Sequence, residues 1–491
     1  MKGHRSCAMA PCVLRSCIGV SQAISWSKSV LLLKRGIMTA CRSPPTYRKC
    51  HSYGVPKLSP QEVSSILRIN EASYDVNSSS VRAFDANQLS SNIPIEDRIC
   101  VARCRYTTGM LFGVFDGHGG ADIAEVVSQR LFDYIALTLL PFSILKELVQ
   151  SNLDLCGRLT ETYTEVTLSP KLLHIHNKSL RKYAIQILET GESYDFQMQQ
   201  ALSQAFLKLD NDLSDEIQDI KHADLELLPF AIMGACACVA HIDGSHVHLA
   251  TSGDCRAVLG ILSDANKWIC KPMGYEHNTD NVDEMRRVLS EHPKSEANTV
   301  IKNERLLGQL APLRAFGDFP YKWKSNLLKK LLLPAFGIGI MPPNYYTPPY
   351  LTAKPEVFYH HLTARDRFLI LATDGLWEQM LPHKVVKFVG EHMSGKQTLD
   401  LLRLPRKQMT LDQINEILMQ RHIGLSKKPI DTNASTHLIR NALGRTEYGV
   451  EHSRLSAMLT LPDEAVRNFR DDISVIVVFF DTEFLRHSPA E

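Results

Sequence analysis

The chain has 491 residues, 44% of them hydrophobic and 22% charged, and a formal net charge of +2. That length can bury a large core, and the balance is that of a globular chain rather than a disordered or collagenous one. Near-neutral charge argues against nucleic acid or an anionic membrane surface as the main partner.

The charge is unevenly placed. No acidic residue precedes Glu62, whereas Lys2, Arg5, Arg15, Lys28, Lys34, Arg35, Arg42, Arg48 and Lys49 all do. Such an acid-free stretch, interleaved with serine, alanine and leucine, has the composition of a mitochondrial transit peptide. It is expected to cover residues 1–53, with processing near Arg48–Tyr53. The apolar run Ser29–Leu33 is too short to cross a bilayer, so no membrane span is expected. Of the 12 cysteines, Cys7, Cys12, Cys17, Cys41 and Cys50 lie in that leader. The others form no CxxC pair and read as buried free thiols.

In chain order, Gln61–Ile69 patterns as a short amphipathic helix. Ile99–Ala102 and Met110–Phe115 read as strands. After Gly120 a long helix follows, with Ile123, Val126, Val127, Phe132 and Ile135 on its apolar side. Residues 141–195 are less patterned and are expected to give helices and loops. Met198–Ile217 repeats apolar residues at helical spacing. Ala235–Ile242, His246–Thr251 and Arg256–Ile261 read as an antiparallel meander, with Asp243-Gly244 and Gly253-Asp254 as its two turns. Residues 277–292 pattern as a helix, and 335–349 as a long Gly/Pro/Tyr-rich loop. Phe368–Ala372 and Ile473–Phe480 read as buried strands. No internal repeat and no linker interrupts this mixture. One α+β domain is expected over 62–481, followed by a C-terminal tail at 482–491.

The chemistry concentrates at strand edges. Val114-Phe115-Asp116-Gly117-His118-Gly119-Gly120 places a carboxylate and an unobstructed glycine carbonyl at a strand end, which suits a hard divalent cation. The histidine beside them can move a proton near neutral pH. Alone, Asp-Gly is also common turn chemistry. However, Ala372-Thr373-Asp374-Gly375-Leu376-Trp377 and Arg470-Asp471-Asp472-Ile473-Ser474 put two more aspartates at strand edges. Three carboxylates alike in context, with no soft ligand beside them, point to a binuclear Mg²⁺ or Mn²⁺ centre rather than copper or zinc.

These motifs, with Gly253-Asp254-Cys255-Arg256 between them, occur in the order found in the type 2C (PPM) metal-dependent protein phosphatases, which the chain resembles over about 62–481. Further stretches are similar to the pyruvate dehydrogenase phosphatases within that family. They are Phe84–Leu89, Pro94–Arg98, Leu131–Ala136, His292–Ala297, Leu313–Asp318 and Pro342–Ala353. The resemblance implies a four-layer sandwich of two antiparallel β-sheets flanked by helices, with a flap or insert region. It implies two Mg²⁺ or Mn²⁺ ions, with Asp116 bridging them, the Gly117 carbonyl on one, and Asp374 and Asp471 on the other. Glu96 and Asp97 would reach the waters around the metals, and Asp254 would help hold a third, weaker ion. A water shared by two dications would attack phosphorus directly, and His118 would protonate the leaving oxygen.

Three departures from the family pattern stand out. Asn87 occupies the place of the usual phosphate-binding arginine, as in the pyruvate dehydrogenase phosphatases. Cys236 replaces a threonine near the metals, which would lower activity or make the site redox-sensitive. Asp472 stands where many relatives have asparagine and would add negative charge close to the metals.

The implied function is that of a mitochondrial matrix protein serine/threonine phosphatase that dephosphorylates and reactivates the pyruvate dehydrogenase complex. Its implied partners are the phosphorylated dehydrogenase component, a lipoyl domain of the dihydrolipoamide acetyltransferase core and a regulatory subunit. No nucleic acid partner is implied. Alternatives are another matrix phosphatase of the family, such as one for branched-chain ketoacid dehydrogenase, or a pseudophosphatase that binds without turnover.

Overall fold

The computed structural model describes residues 57–151, 153–165, 168–191, 197–219, 225–402, 404 and 409–487. They belong to one compact unit that spans 54–491. The expected leader, 1–53, lies outside the described residues.

The strands of the two large sheets are, in chain order, β1 (Ala72–Ser78), β2 (Val81–Leu89), β3 (Arg98–Cys104), β4 (Met110–His118), β5 (Thr160–Thr162), β6 (Gly234–Asp243), β7 (His246–Ser252), β8 (Arg256–Leu262), β9 (Trp268–Pro272), β10 (Phe316–Gly317), β11 (Glu356–His361), β12 (Asp366–Ala372) and β13 (Ile473–Phe480). One sheet runs β1-β2-β13-β12-β8-β9, and the other runs β11-β7-β6-β4-β3-β5 with the short β10 added beside β6. The pairings within both are antiparallel.

Strand periodicity explains the layers. In β13 the odd positions Ile473, Val475, Val477 and Phe479 face one cluster, and the even positions Ile476, Val478 and Phe480 face another. Side chains alternate across a strand, so a strand buried throughout must be covered on both faces. The middle layer packs Phe84 and Val478 of one sheet against Phe112 and Val114 of the other. Outside the first sheet lie helices over Pro382–Met393 and Ala434–Gly444. Outside the second lie α1 (Asp122–Thr138), α2 (Pro170–Thr190) and α3 (Met198–Gln218). The result is the expected helix–sheet–sheet–helix sandwich, with strands crossing a shared apolar core.

One expectation is corrected. β6 and β7 form a hairpin, but β8 does not continue it. It pairs with β12 and β9 in the opposite sheet. The Gly253-Asp254 turn is therefore a crossover between sheets. Gly253 takes a φ of +108°, which a side chain would strain, and a Cβ there would also strike Cys236. The expected tail also differs in part, because Thr482–His487 is helical and Leu485 packs into the middle layer.

Between β9 and β11 an insert carries its own small core of Val288, Val300, Leu306, Leu307, Leu313 and Tyr350. Its helix Val282–Ser290 is capped by Asn281, whose side chain accepts from the amides of Asp283 and Glu284. Glu284 is buried and accepts hydrogen bonds from Arg314 at 2.8 and 2.7 Å and from Arg287 at 3.0 and 2.6 Å. Burial alone would raise this carboxyl, but the two guanidinium groups bring it down to about 2. A depressed carboxylate stabilises the fold above its unfolded value, and that contribution fades as pH falls through the folded value. Glu284→Gln is expected to cost ~3–5 kcal/mol near neutral pH, since it leaves Arg314 without its carboxylate and Arg287 with only Glu291. In urea unfolding the gap between parent and variant should hold above about pH 4.5 and close toward about pH 2. A gap that does not change with pH would rule out the ion pair as its cause.

Candidate functional site

The ends of the strands bring the carboxylates together. On β4, Met110, Phe112 and Val114 face the middle layer, and two residues further along the same face comes Asp116. It lies opposite Cys236 on β6 in the strand register. Asp374 follows the end of β12 and opens a one-turn helix, Asp374–Trp377. Asp471 precedes β13, which pairs with β12 so that Ala372 meets Val475. The loop before β3 supplies Glu96 and Asp97, and the β7–β8 crossover supplies Asp254. All sit at one end of the sandwich.

Electrostatics show how close they are. Burial holds the Asp116 carboxyl well above its usual range, and the charges of Asp374, Asp97, Asp254 and Asp471 push it further. Asp374 is raised in the same way by burial and then by Asp254 and Asp471. Burial raises Glu96 to about 7, and burial followed by the charge of Asp472 raises Asp97. Asp374 Oδ1 is buried with no hydrogen-bond partner. Hard oxygen donors that repel one another, one of them without a partner, fit divalent cations such as Mg²⁺ or Mn²⁺.

The acidic loops are held by backbone amides, small hydroxyls and side-chain amides. Asp97 accepts from Thr373 Oγ1 at 2.8 Å, and Gln88 Nε2 donates to Ser474 Oγ at 2.9 Å. Asp472 adds the negative charge expected of it, which raises Asp97, Glu96 and Asp471. Both its oxygens are also taken up by the 91–96 loop. They accept from the amides of Ser91, Asn92 and Glu96 and from Asn92 Nδ2. It positions the loop that carries Glu96 and Asp97.

Asn87 requires a correction. It is fully buried, and its amide donates at 2.7 Å to both the Leu67 carbonyl and Thr436 Oγ1. Both N–H groups are used and the side chain faces the helix layer, so none is left for a phosphate. Alternation explains this: Ala86 faces the middle layer, so Asn87 must face the other way. Cys236, opposite Asp116, is buried, and burial with the charges of Asp254 and Asp116 pushes its thiol pKa up.

Two residues not singled out by the sequence motifs join the site. Asp318 pairs with His118 Nε2 at 2.6 Å. Burial opposes the imidazolium, but Asp318, with the charges of Asp254 and Glu96, outweighs it and the His118 pKa is raised. Gly234 leaves room for this pair, because a Cβ there would collide with both partners. Arg467 pairs with Asp471, and its charge reaches Glu96. The only sequence sign of Asp318 was its place in Leu313–Asp318. Arg467 lies outside every motif, four residues before Asp471.

Gly375 brings the two sides of the site together. A Cβ on it would overlap the Asp472 carbonyl oxygen. Gly375→Ala must therefore separate the Asp374 turn from the Asp471-Asp472 turn. Overpacking of this kind costs ~1–3 kcal/mol, and a matching loss of Mn²⁺ affinity is expected by calorimetry. Unchanged stability and unchanged affinity would show that the two turns are not rigidly joined.

Comparison with known proteins gives the family. The sequence profile described as Protein phosphatase 2C matches residues 172–411. The chain is 44% identical over 448 residues to the human protein named [Pyruvate dehydrogenase [acetyl-transferring]]-phosphatase 1, mitochondrial; the match spans 87% of this chain and 83% of that one. It is 40% identical over 454 residues to the human phosphatase 2 of the same name, spanning 87% and 84%. The Saccharomyces cerevisiae phosphatase 1 of that name is 30% identical over 465 residues, spanning 86% and 73%. This chain belongs to the protein phosphatase 2C family, whose members are metal-dependent protein phosphatases.

Proposed function

We propose that this chain is a mitochondrial matrix phosphatase that removes phosphate from serine or threonine of pyruvate dehydrogenase and so reactivates that complex. The observation that carries the reading is likeness along most of both chains to proteins of that name, joined to a complete set of carboxylates at the strand ends. Residues 1–53 would serve as the import leader and 62–481 as the catalytic domain. A lipoyl domain of the acetyltransferase core and a regulatory subunit are the proposed docking partners.

Asp116, the Gly117 carbonyl, Asp374 and Asp471 would hold two Mg²⁺ or Mn²⁺ ions, and Asp254 would help hold a third. When bound, such ions supply positive charge to the phosphoryl oxygens and lower the pKa of water. The protein's own groups do the rest. Glu96 and Asp97 accept hydrogen bonds from water in the site. His118, kept protonated by Asp318, gives its proton to the departing serine oxygen. Arg467, about half exposed at the rim, can exchange its Asp471 contact for a phosphate oxygen, the task first expected of Asn87. A pseudophosphatase is the weaker reading, because Cys236 removes none of these groups.

The direct test is phosphate release by the Mn²⁺-loaded chain from phosphorylated pyruvate dehydrogenase and from phosphorylated branched-chain ketoacid dehydrogenase. Release from the first should be at least about tenfold faster, a difference of ~1.4 kcal/mol in barrier. The reverse order would move the assignment to the other complex, and no release from either would favour a binding protein.

The role of His118 is tested separately. His118→Gln should slow a phosphoserine peptide by ~10²–10⁴-fold and an aryl phosphate far less, because that leaving group needs little protonation. Asp318→Asn should give a smaller loss of about 10–100-fold on the peptide, matching the ~1.5–3 kcal/mol of a hydrogen bond to a charged group. Equal losses on both substrates would make the histidine structural.

A further inference from the structure

A second cluster of donor atoms lies away from the carboxylates, inside the helix layer over the β5 side of its sheet. Asp133 on α1, Cys156 in the loop before β5 and His176 on α2 each present a ligand atom, all within 4.8 Å of one another. They come from three separate segments. Asp133 and His176 are buried, and Cys156 is half-buried. Both ring nitrogens of His176 lack a hydrogen-bond partner, although the side chain is only 1% exposed. Its ring stacks on Tyr134 at 6.1 Å and 8°, which fixes the edge it turns toward Asp133. Buried polar atoms nearly always find a partner, so an imidazole with two empty nitrogens needs an explanation.

We propose that Asp133, Cys156 and His176 form a zinc site that braces α1 against α2 and the 153–159 loop. The donor set decides the metal: imidazole and thiolate select zinc over the Mg²⁺ or Mn²⁺ that the all-oxygen centre takes. The spacing fits as well. Tetrahedral zinc with bonds of roughly 2.0–2.3 Å sets its ligand atoms about 3.3–3.8 Å apart. His176 Nε2 and Asp133 Oδ2 are already 3.7 Å apart. The other Asp133 oxygen accepts from Thr160 Oγ1 at 3.1 Å, which orients the carboxylate as an outer hydrogen bond should. The thiol comes from a loop and can close the remaining distance, and water takes the fourth position. Asp133 lies about 16 Å along α1 from Asp122 at 1.5 Å per residue, so the site is separate from the catalytic carboxylates. It reaches them only mechanically, through the helix whose Ala124 packs beneath Gly117.

Cobalt is the probe that separates the two centres. The full chain is stripped with chelator, the catalytic centre is filled with excess Mg²⁺, and Co²⁺ is added. One equivalent should give a near-ultraviolet thiolate-to-cobalt charge-transfer band that Zn²⁺ abolishes. The proposed ligands of the catalytic centre are all oxygens, and the Cys156→Ala variant separates this band from any that Cys236 beside that centre gives. Cys156→Ala should remove it and weaken zinc binding by more than about 100-fold, since loss of an outer hydrogen bond alone costs about 10–100-fold. His176→Gln should do the same. If that buried change prevents folding, the loop variant decides. Absence of the band from the parent chain, or its survival in Cys156→Ala, would overturn the proposal.

Discussion

Mutual repulsion among carboxylates at one end of the sandwich is the constraint to which the rest of the structure answers. Asp116, Asp374 and Asp97 are each pushed upward by burial and by the charges of their neighbours. Among the described residues nothing neutralises the group as a whole. Arg467 serves Asp471 and reaches Glu96, but Asp374 keeps a buried oxygen without a partner. A cluster of this kind destabilises the fold until cations enter it, and cations that bind only the folded state stabilise it in return. The dry middle layer and the two outer helix layers supply the apolar burial that holds the strand ends in place meanwhile.

Backbone contact does what side-chain pairing cannot. A carboxylate that must remain available to metal cannot be anchored by a lysine. The loops are therefore fixed by amides and small hydroxyls. Asp472 gathers the amides of Ser91, Asn92 and Glu96, and Thr373 links Asp97 to the first residues of β13. The adjacent aspartates 471 and 472 thus divide two duties. One is left with a single cationic partner that can be exchanged, and the other is consumed in organising the loop. Sequence alone makes them look equivalent.

How far the sequence could be read follows from which physical signals are local. Ile473–Phe480 announces its strand because every position but Ser474 is apolar, and the observed bounds match. Asp116, Asp374 and Asp471 were visible because each breaks an apolar run. The strand β2 was not recognised, since Phe84-Asp85-Ala86-Asn87-Gln88 alternates two polar contacts to the helix layer with two apolar contacts to the other sheet. That same alternation, had the strand been seen, would have turned Asn87 away from the phosphate. The β7–β8 crossover was read as a hairpin because Gly-Asp turn chemistry is the same whether the chain returns to its own sheet or passes to another. The His118–Asp318 pair bridges 200 residues of sequence, and no local pattern encodes it.

The insert shows why that pair is more than an accident of packing. The insert is tied to the catalytic end at both of its own ends. At its start, the His277 amide donates to the Gly253 carbonyl at 2.9 Å, next to Asp254. At its close, β10 pairs with β6 and delivers Asp318 to His118. The Leu313 amide donates to the His277 carbonyl at 2.7 Å, which joins the two ends to each other. Arg314, one residue later, carries the ion pair to Glu284 in the insert's helix. Arg314 thus links that helix to the 316–318 segment, whose end carries the carboxylate paired with His118. The insert is therefore joined by hydrogen bonds and ion pairs to the His118–Asp318 pair.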